Sequence, residues 1–349
     1  MKFSGIRAFP TNWTNGMKLS SEHFQHLENS IEDSVTDARS VGLLAGSMYG
    51  LLPQSQFTLR NAEGLSGQSV RVILEACQAI LPGGARVEIV PAIVKALHVP
   101  NQAPFVEFMP NPGERYHLFL TIDEETRIGA GLPETRPIRE PYLVYNYQLE
   151  CIAQNQLAAV QSMATNRMKI GEWKDGKILE GYIPPCLTLE GYPLLDKWHQ
   201  FFRNQLENSV KISSHVIAEN RKKDPSRSEF CERIVEYVRG SQGEYNLLLP
   251  TKSPMYFVSY FADFAGMVKG MLETHDRDFV RNVLKNGDIN GLNQSLEYFL
   301  RLKKIPLDDI ANVIVQIKRF IDALMATIQQ LVTKGPPAPR MGDRNIASG

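Results

Sequence analysis

The chain has 349 residues, enough for about two domains that each bury their own core. At 43% hydrophobic and 22% charged it has the composition of a soluble globular protein. Lys plus Arg and Asp plus Glu both total 38, so no net field draws nucleic acid or an anionic membrane to it. Met1–Pro10 holds no apolar run of signal-peptide length. No stretch reaches the ~18 apolar residues of a membrane span, Tyr256–Leu272 being broken by Asp263 and Lys269. Cys77, Cys151, Cys186 and Cys231 form no CxxC pair and read as reduced, mostly buried thiols of a cytoplasmic protein.

The first element follows the segment Trp13-Thr14-Asn15-Gly16-Met17-Lys18-Leu19-Ser20-Ser21-Glu22-His23-Phe24-Gln25. Ser20 or Ser21 suits an N-cap, because a side-chain oxygen there accepts from a free amide of the first turn. Phe24, Leu27, Ile31, Val35 and Ala38 then recur at helical spacing, which predicts an amphipathic helix packed on a core. Such a helix accounts for the serine and for Phe24. It leaves Trp13, Gly16, Met17, His23 and Gln25 unexplained.

From about Leu43 to Tyr182 the period falls to two. Ser69–Ala76 sets Val70, Val72, Leu74 and Ala76 on one face, Leu81-Pro82-Gly83-Gly84 turns the chain, and Arg86–Val90 returns. Tyr116–Ile122 and Tyr142–Ile152 are further strands, rich in aromatic and β-branched residues. Asp175-Gly176 between Met168–Trp173 and Lys177–Tyr182 signals a hairpin. Proline-bearing connections without interleaved helices favour a sandwich or jelly roll over a parallel α/β sheet.

The domain boundary is expected at Pro184-Pro185, giving a β domain over 1–185 and a helical bundle over 186–334. Pro193 opens a first helix carrying Trp198, Phe201/Phe202 and Leu206; Phe230 to Val238 mark a second; Ser253-Pro254 opens a third. Phe279, Val283 and Leu284, then Leu292, Leu296 and Phe299, give two shorter pieces. In the last helix Leu307, Ile310, Ile314, Ile317, Ile321, Leu324, Ile328 and Leu331 are spaced 3-4-3-4-3-4-3. Val313, Phe320, Met325 and Val332 widen that stripe beyond a two-helix seam. It fits either an internal bundle position or a seam where several chains meet. The tail 335–349 is Pro/Gly-rich, lacks periodicity and is expected to be disordered. The fold class expected is therefore α+β with segregated halves.

Catalytic signatures are missing. His23 and His26 stand at i and i+3, but no Glu- or Cys-rich partner completes a metal site, and a packing or hydrogen-bonding role is expected. There is no phosphate-binding GxxxxGK[ST], no Gly-x-Ser-x-Gly, and Gly129-Ala130-Gly131 lacks a third glycine. Neither Glu124-Glu125 nor Asp308-Asp309 lies where a carboxylate would be enclosed for acid catalysis. No enzyme activity, cofactor or metal is expected.

The Trp13 to Gln25 segment resembles the opening of the TssK family, baseplate proteins of type VI secretion systems, through its Trp, Gly-Met, Leu and His-Phe-Gln at matching spacing. Tyr182-Ile183-Pro184-Pro185-Cys186-Leu187 is similar to the family's Pro-Pro-x-Leu junction, and Ser253-Pro254-Met255-Tyr256 with Phe264-Ala265-Gly266 resembles, more loosely, a neck-helix pattern. The likeness runs over about residues 10 to 335. It implies a β-sandwich shoulder and a helical neck, assembled as a homotrimer in the cytoplasm. It also implies a shoulder that grips the wedge proteins TssF and TssG, with Trp13, Gly16, Met17, Leu19, His23, Phe24 and Gln25 as its signature and the seam from Leu307 to Leu331 joining the trimer. The family's C-terminal head has no counterpart after Val332, so either another surface is expected to contact the membrane complex or that complex differs from the usual one. The family shoulder is also similar to receptor-binding proteins of tailed phages, which leaves a glycan-recognising tail protein as the alternative. A β-sandwich hydrolase is a third reading, opposed by the lack of a nucleophile, base and orienting partner.

Overall fold

A computed structural model describes residues 11–42, 48–99, 103–157, 165–274, 289–303 and 305–333. Ser21 begins the first helix, α1 (Ser21–Gly42). Five strands follow as one antiparallel sheet: β1 (Gly50–Leu51), β2 (Thr58–Glu63), β3 (Val70–Ile80), β4 (Arg86–Ile89) and β5 (Phe105–Phe108). All four others pair with β3, whose alternation buries Val72, Leu74 and Ala76. Between β4 and β5 the run Pro91–Ala96 is a short helix, α2, with proline in its first turn. A connection expected to be free of helix thus contains one.

The second sheet has the order β11-β10-β6-β9, from β6 (Arg115–Ala130), β9 (Tyr142–Ala153), β10 (Arg167–Lys174) and β11 (Lys177–Ile178). A small ribbon, β7 (Glu134–Thr135) with β8 (Ile138–Arg139), joins β6 to β9. The expected hairpin turn is present: Asp175 and Gly176 both have positive φ, 48° and 86°, as a type I′ turn demands. The sheets face each other through Trp173, whose ring meets Phe108 edge-on at 5.3 Å. Leu118, Leu120, Met168 and Ile170 fill the rest of the gap.

Pro184 and Pro185 are buried and stitched to the first strand. Leu51 N–H donates to the Pro185 carbonyl at 2.8 Å, and Leu187 N–H donates to the Leu51 carbonyl at 2.9 Å. Gly50, at φ +130°, is required there, since a Cβ would stand 2.1 Å from the Pro185 carbonyl carbon. The described residues divide into two compact units, one made of those within 11–196, 250–255 and 306–311, the other of those within 197–249, 256–305 and 312–333. The first unit therefore runs past the proline pair, because the residues after it pair back onto β1.

The helices are α3 (Pro193–Asn220), α4 (Pro225–Gly240), α5 (Pro254–Thr274), α6 (Ile289–Arg301) and α7 (Ile310–Thr333). Three open on proline, and Asp224 caps α4 by accepting from Arg227 N–H. The second unit is held by tilted and edge-to-face aromatic contacts, with Phe202, Phe257, Phe261, Phe264 and Phe320 all fully buried. His199 stacks on Tyr245 at 4.7 Å, and Tyr245 Oη donates to the His199 carbonyl, which satisfies a phenol in an apolar core. The piece expected around Phe279, Val283 and Leu284 and the tail 335–349 lie outside the described residues.

One expectation about α7 is corrected here. Leu307, Ile310, Ile314, Ile317, Ile321, Leu324, Ile328 and Leu331 are each 4% exposed or less in the single chain. A side chain with no surface left cannot supply a seam between chains. Those residues form the chain's own core, which is the other reading the wide stripe allowed. What α7 leaves open is a narrow strip holding Val315, Arg319 and Asp322.

Candidate interaction site

The segment before α1 is shaped by local chemistry. Met17 N–H donates to the Thr14 carbonyl at 3.2 Å, closing a turn whose third residue, Gly16, has φ +81°. Ser20 is the residue before the helix, and His23 reaches back so that its Nδ1 accepts from Ser20 N–H at 3.1 Å. This is the return half of a capping box, with an imidazole in place of the usual Glu or Gln, while Ser20 Oγ lies 3.0 Å from the same Nδ1. Thr11 Oγ1 adds a hydrogen bond to the His23 carbonyl. The Trp13 ring lies 6.0 Å from both His23 and Phe24, stapling the incoming chain to the first turn. Capping chemistry thus explains His23, Gly16 and Trp13.

The structure corrects the expectation that the apolar face of α1 packs on a core. Phe24, Ile31 and Val35 are 50%, 55% and 40% exposed, with Leu19 and Val41 also bare. What faces the unit is another side of the helix: Ser30 is buried, and Glu32 pairs with Arg127 of β6. Of the signature residues, Trp13, Leu19, Phe24 and Gln25 are exposed, while Met17 and His23 are half-buried. Phe24, Leu27, Ile31, Ser34, Ala38 and Val41 follow a 3-4-3-4-3 spacing, so a short heptad seam points outward.

Nucleophilic or metal chemistry has little support. Burial pushes the Cys77, Cys151 and Cys231 thiols up to about 12, and Cys186 higher still. Among the described residues no group of His, Cys, Asp or Glu is placed to hold a metal ion. No described helix is long and apolar enough to cross a membrane.

One polar network, which sequence patterning did not show, lies on the second sheet. His117 and Glu172 are partners across β6 and β10, and only the ladder register brings them together. Glu172 takes Lys169 Nζ at 2.7 Å, Arg115 Nη1 at 3.4 Å and His117 Nδ1 at 3.5 Å, while His117 Nε2 meets Gln154 Oε1 at 2.5 Å. Burial alone would raise the Glu172 pKa, but His117 and Lys169 outweigh it and hold the carboxyl at about 2. A carboxylate lowered on folding stabilises the fold above its ordinary pKa, and that stability drains away as pH falls through the folded value. Between pH 4.5 and about 2 the chain should therefore lose about 2 kcal/mol through this group, allowing for screening on its open side. Melting curves across that window should show Glu172→Gln losing the acid limb; identical pH profiles for the two proteins would refute the assignment.

No protein-family model matches the chain, and no curated protein sequence does. Solved structures do match its fold. A crystal structure of TssK superposes over 91% of this chain and 69% of its own, with a TM-score of 0.54 at 16% identity. TssK from the type VI secretion system of EAEC, bound to a nanobody, gives 0.54 at 14% identity over 88% of this chain and 69% of its own. A chain of the type VI secretion baseplate complex gives 0.50 at 15% identity, over 77% of this chain and 91% of its own. The α+β architecture, antiparallel sheets followed by helices, is the fold of TssK.

Proposed function

We propose that this chain is a structural subunit of a type VI secretion baseplate, acting in the cytoplasm as a homotrimer. In this reading it holds the TssF–TssG wedge through the β unit and links it to the membrane complex. The observation that carries the reading is the TssK fold across 91% of the chain, in a molecule with three of its four cysteines buried and whose signature segment leaves large apolar groups bare. Exposed Trp and Phe of this kind are what protein interfaces use as anchors.

The stripe on α1 and the Trp13 turn have different jobs in this reading. The heptad seam from Phe24 to Val41 suits a helix meeting its own copies, whereas Trp13 stands at the end of the helix where a wedge protein would reach it. Trp13 is 44% exposed, so truncating it should cost stability little. Trp13→Ala, co-expressed with TssF and TssG, should lose co-purification about tenfold while keeping its melting temperature. Full recovery of the wedge by a normally folded variant would rule out the contact and leave Trp13 as a staple only.

A further inference from the structure

The first unit contains an open cleft lined by residues other than the bare apolar stripe of α1. β9 pairs with β6 along one side. On its other side the unbroken run Leu143 to Leu149 lines a cleft of about 810 Å³, walled by Ile89, Ile93, Val94, Leu97 and Phe105. Among the described residues, no backbone hydrogen bond leaves this run except to β6. An edge strand with unpaired amides and carbonyls is a template for another strand. Proteins usually blunt such edges with lysine or proline, and β9 (YLVYNYQLECIA) contains neither. The rim is apolar as well, with Ile93, Phe105 and Leu143 at 42%, 48% and 62% exposed.

Charge narrows the occupant. Arg127 is engaged by Glu32 and lies over the Tyr145 ring, and Glu88 is bound by Arg86 at 2.7 Å. Glu140, exposed at the cleft, has no ion-pair partner among the described residues. A second copy joined edge to edge through β9 would not answer it, since β9 holds no Lys or Arg. We propose that the cleft receives an extended peptide of a partner protein as an added strand on β9. Its alternate apolar side chains lie on the Ile93–Phe105 wall, and one Lys or Arg meets Glu140. Main-chain pairing supplies affinity and the wall supplies selectivity, the usual division in strand addition. The inference rests on the cleft and stands apart from the baseplate reading.

The test is selection of random heptapeptides displayed on phage against the full chain, followed by hydrogen exchange with the enriched peptide in synthetic form. Enriched sequences should alternate apolar residues and carry a cation, and the peptide should slow exchange at Leu143 to Leu149. Leu143→Asp and Glu140→Lys both alter exposed side chains, so the fold should hold, and each should weaken binding about tenfold or more. No enrichment, or binding that ignores both substitutions, would overturn the proposal. So would protection of these amides that is present without peptide and fades on dilution, which would mean a second copy. An oligosaccharide that protects them where peptides do not would overturn it in favour of a sugar.

Discussion

Ile317→Asp is expected to unfold the helical unit rather than merely separate chains. Ile317 is fully buried in the single chain, in the N-terminal half of α7. A carboxylate there has neither water nor a cation, so it costs several kcal/mol or takes up a proton, and either outcome also forfeits the packing of the isoleucine. Against a typical total stability of about 5–15 kcal/mol, that is enough to populate unfolded or molten forms. Val315→Asp is the matched control, on the same helix at a position 42% exposed, and should stay within about 0.5 kcal/mol of the parent. Urea unfolding followed by circular dichroism reads both. If Ile317→Asp melts normally and only its mass changes, the burial argument fails and the seam does lie between chains.

The seam shows how far patterning reaches. A 3-4 repeat with apolar flanks says that α7 is covered broadly; it does not say whether the cover comes from the same chain, because side chains of either origin satisfy the same spacing. Strands were more legible. The alternation in Val70 to Ala76, the Asp175-Gly176 turn and the prolines at 193 and 254 all encode geometry within a few residues, and each appears where expected. The hydrogen bonding of His23 was half legible: Ser20 followed three residues later by a side chain able to accept is the capping-box spacing, with an unusual residue in the second place. The His117–Glu172 pair was not legible. It depends on a ladder register with a shift between Lys169 and Gly171, and nothing local to either residue fixes that register. The exposure of the α1 stripe was hidden for the same reason as the seam, since periodicity marks a face and not its neighbour.

That stripe carries the second large effect. Joint substitution Phe24→Asp and Ile31→Asp is expected to convert the proposed homotrimer into monomers while leaving each chain folded. Both side chains are at least half exposed in the single chain, so the carboxylates remain hydrated there and the intrachain cost is small. In an assembly that buries the Phe24, Leu27, Ile31, Ala38 and Val41 seam, the same two carboxylates on every helix would lie close together without a cation. Each buried unpaired charge opposes association by several kcal/mol, so the dissociation constant should rise by about three orders of magnitude or more. Glu28 and Asp37 on the same helix add like charge, and only Arg39 offsets them locally. Light scattering coupled to size exclusion at micromolar concentration reads the mass, and a thermal melt reads the fold. A trimeric mass that survives both substitutions would remove α1 from the chain–chain contact and leave its bare stripe to the wedge proteins. A monomeric mass already present in the parent protein would sink the homotrimer itself.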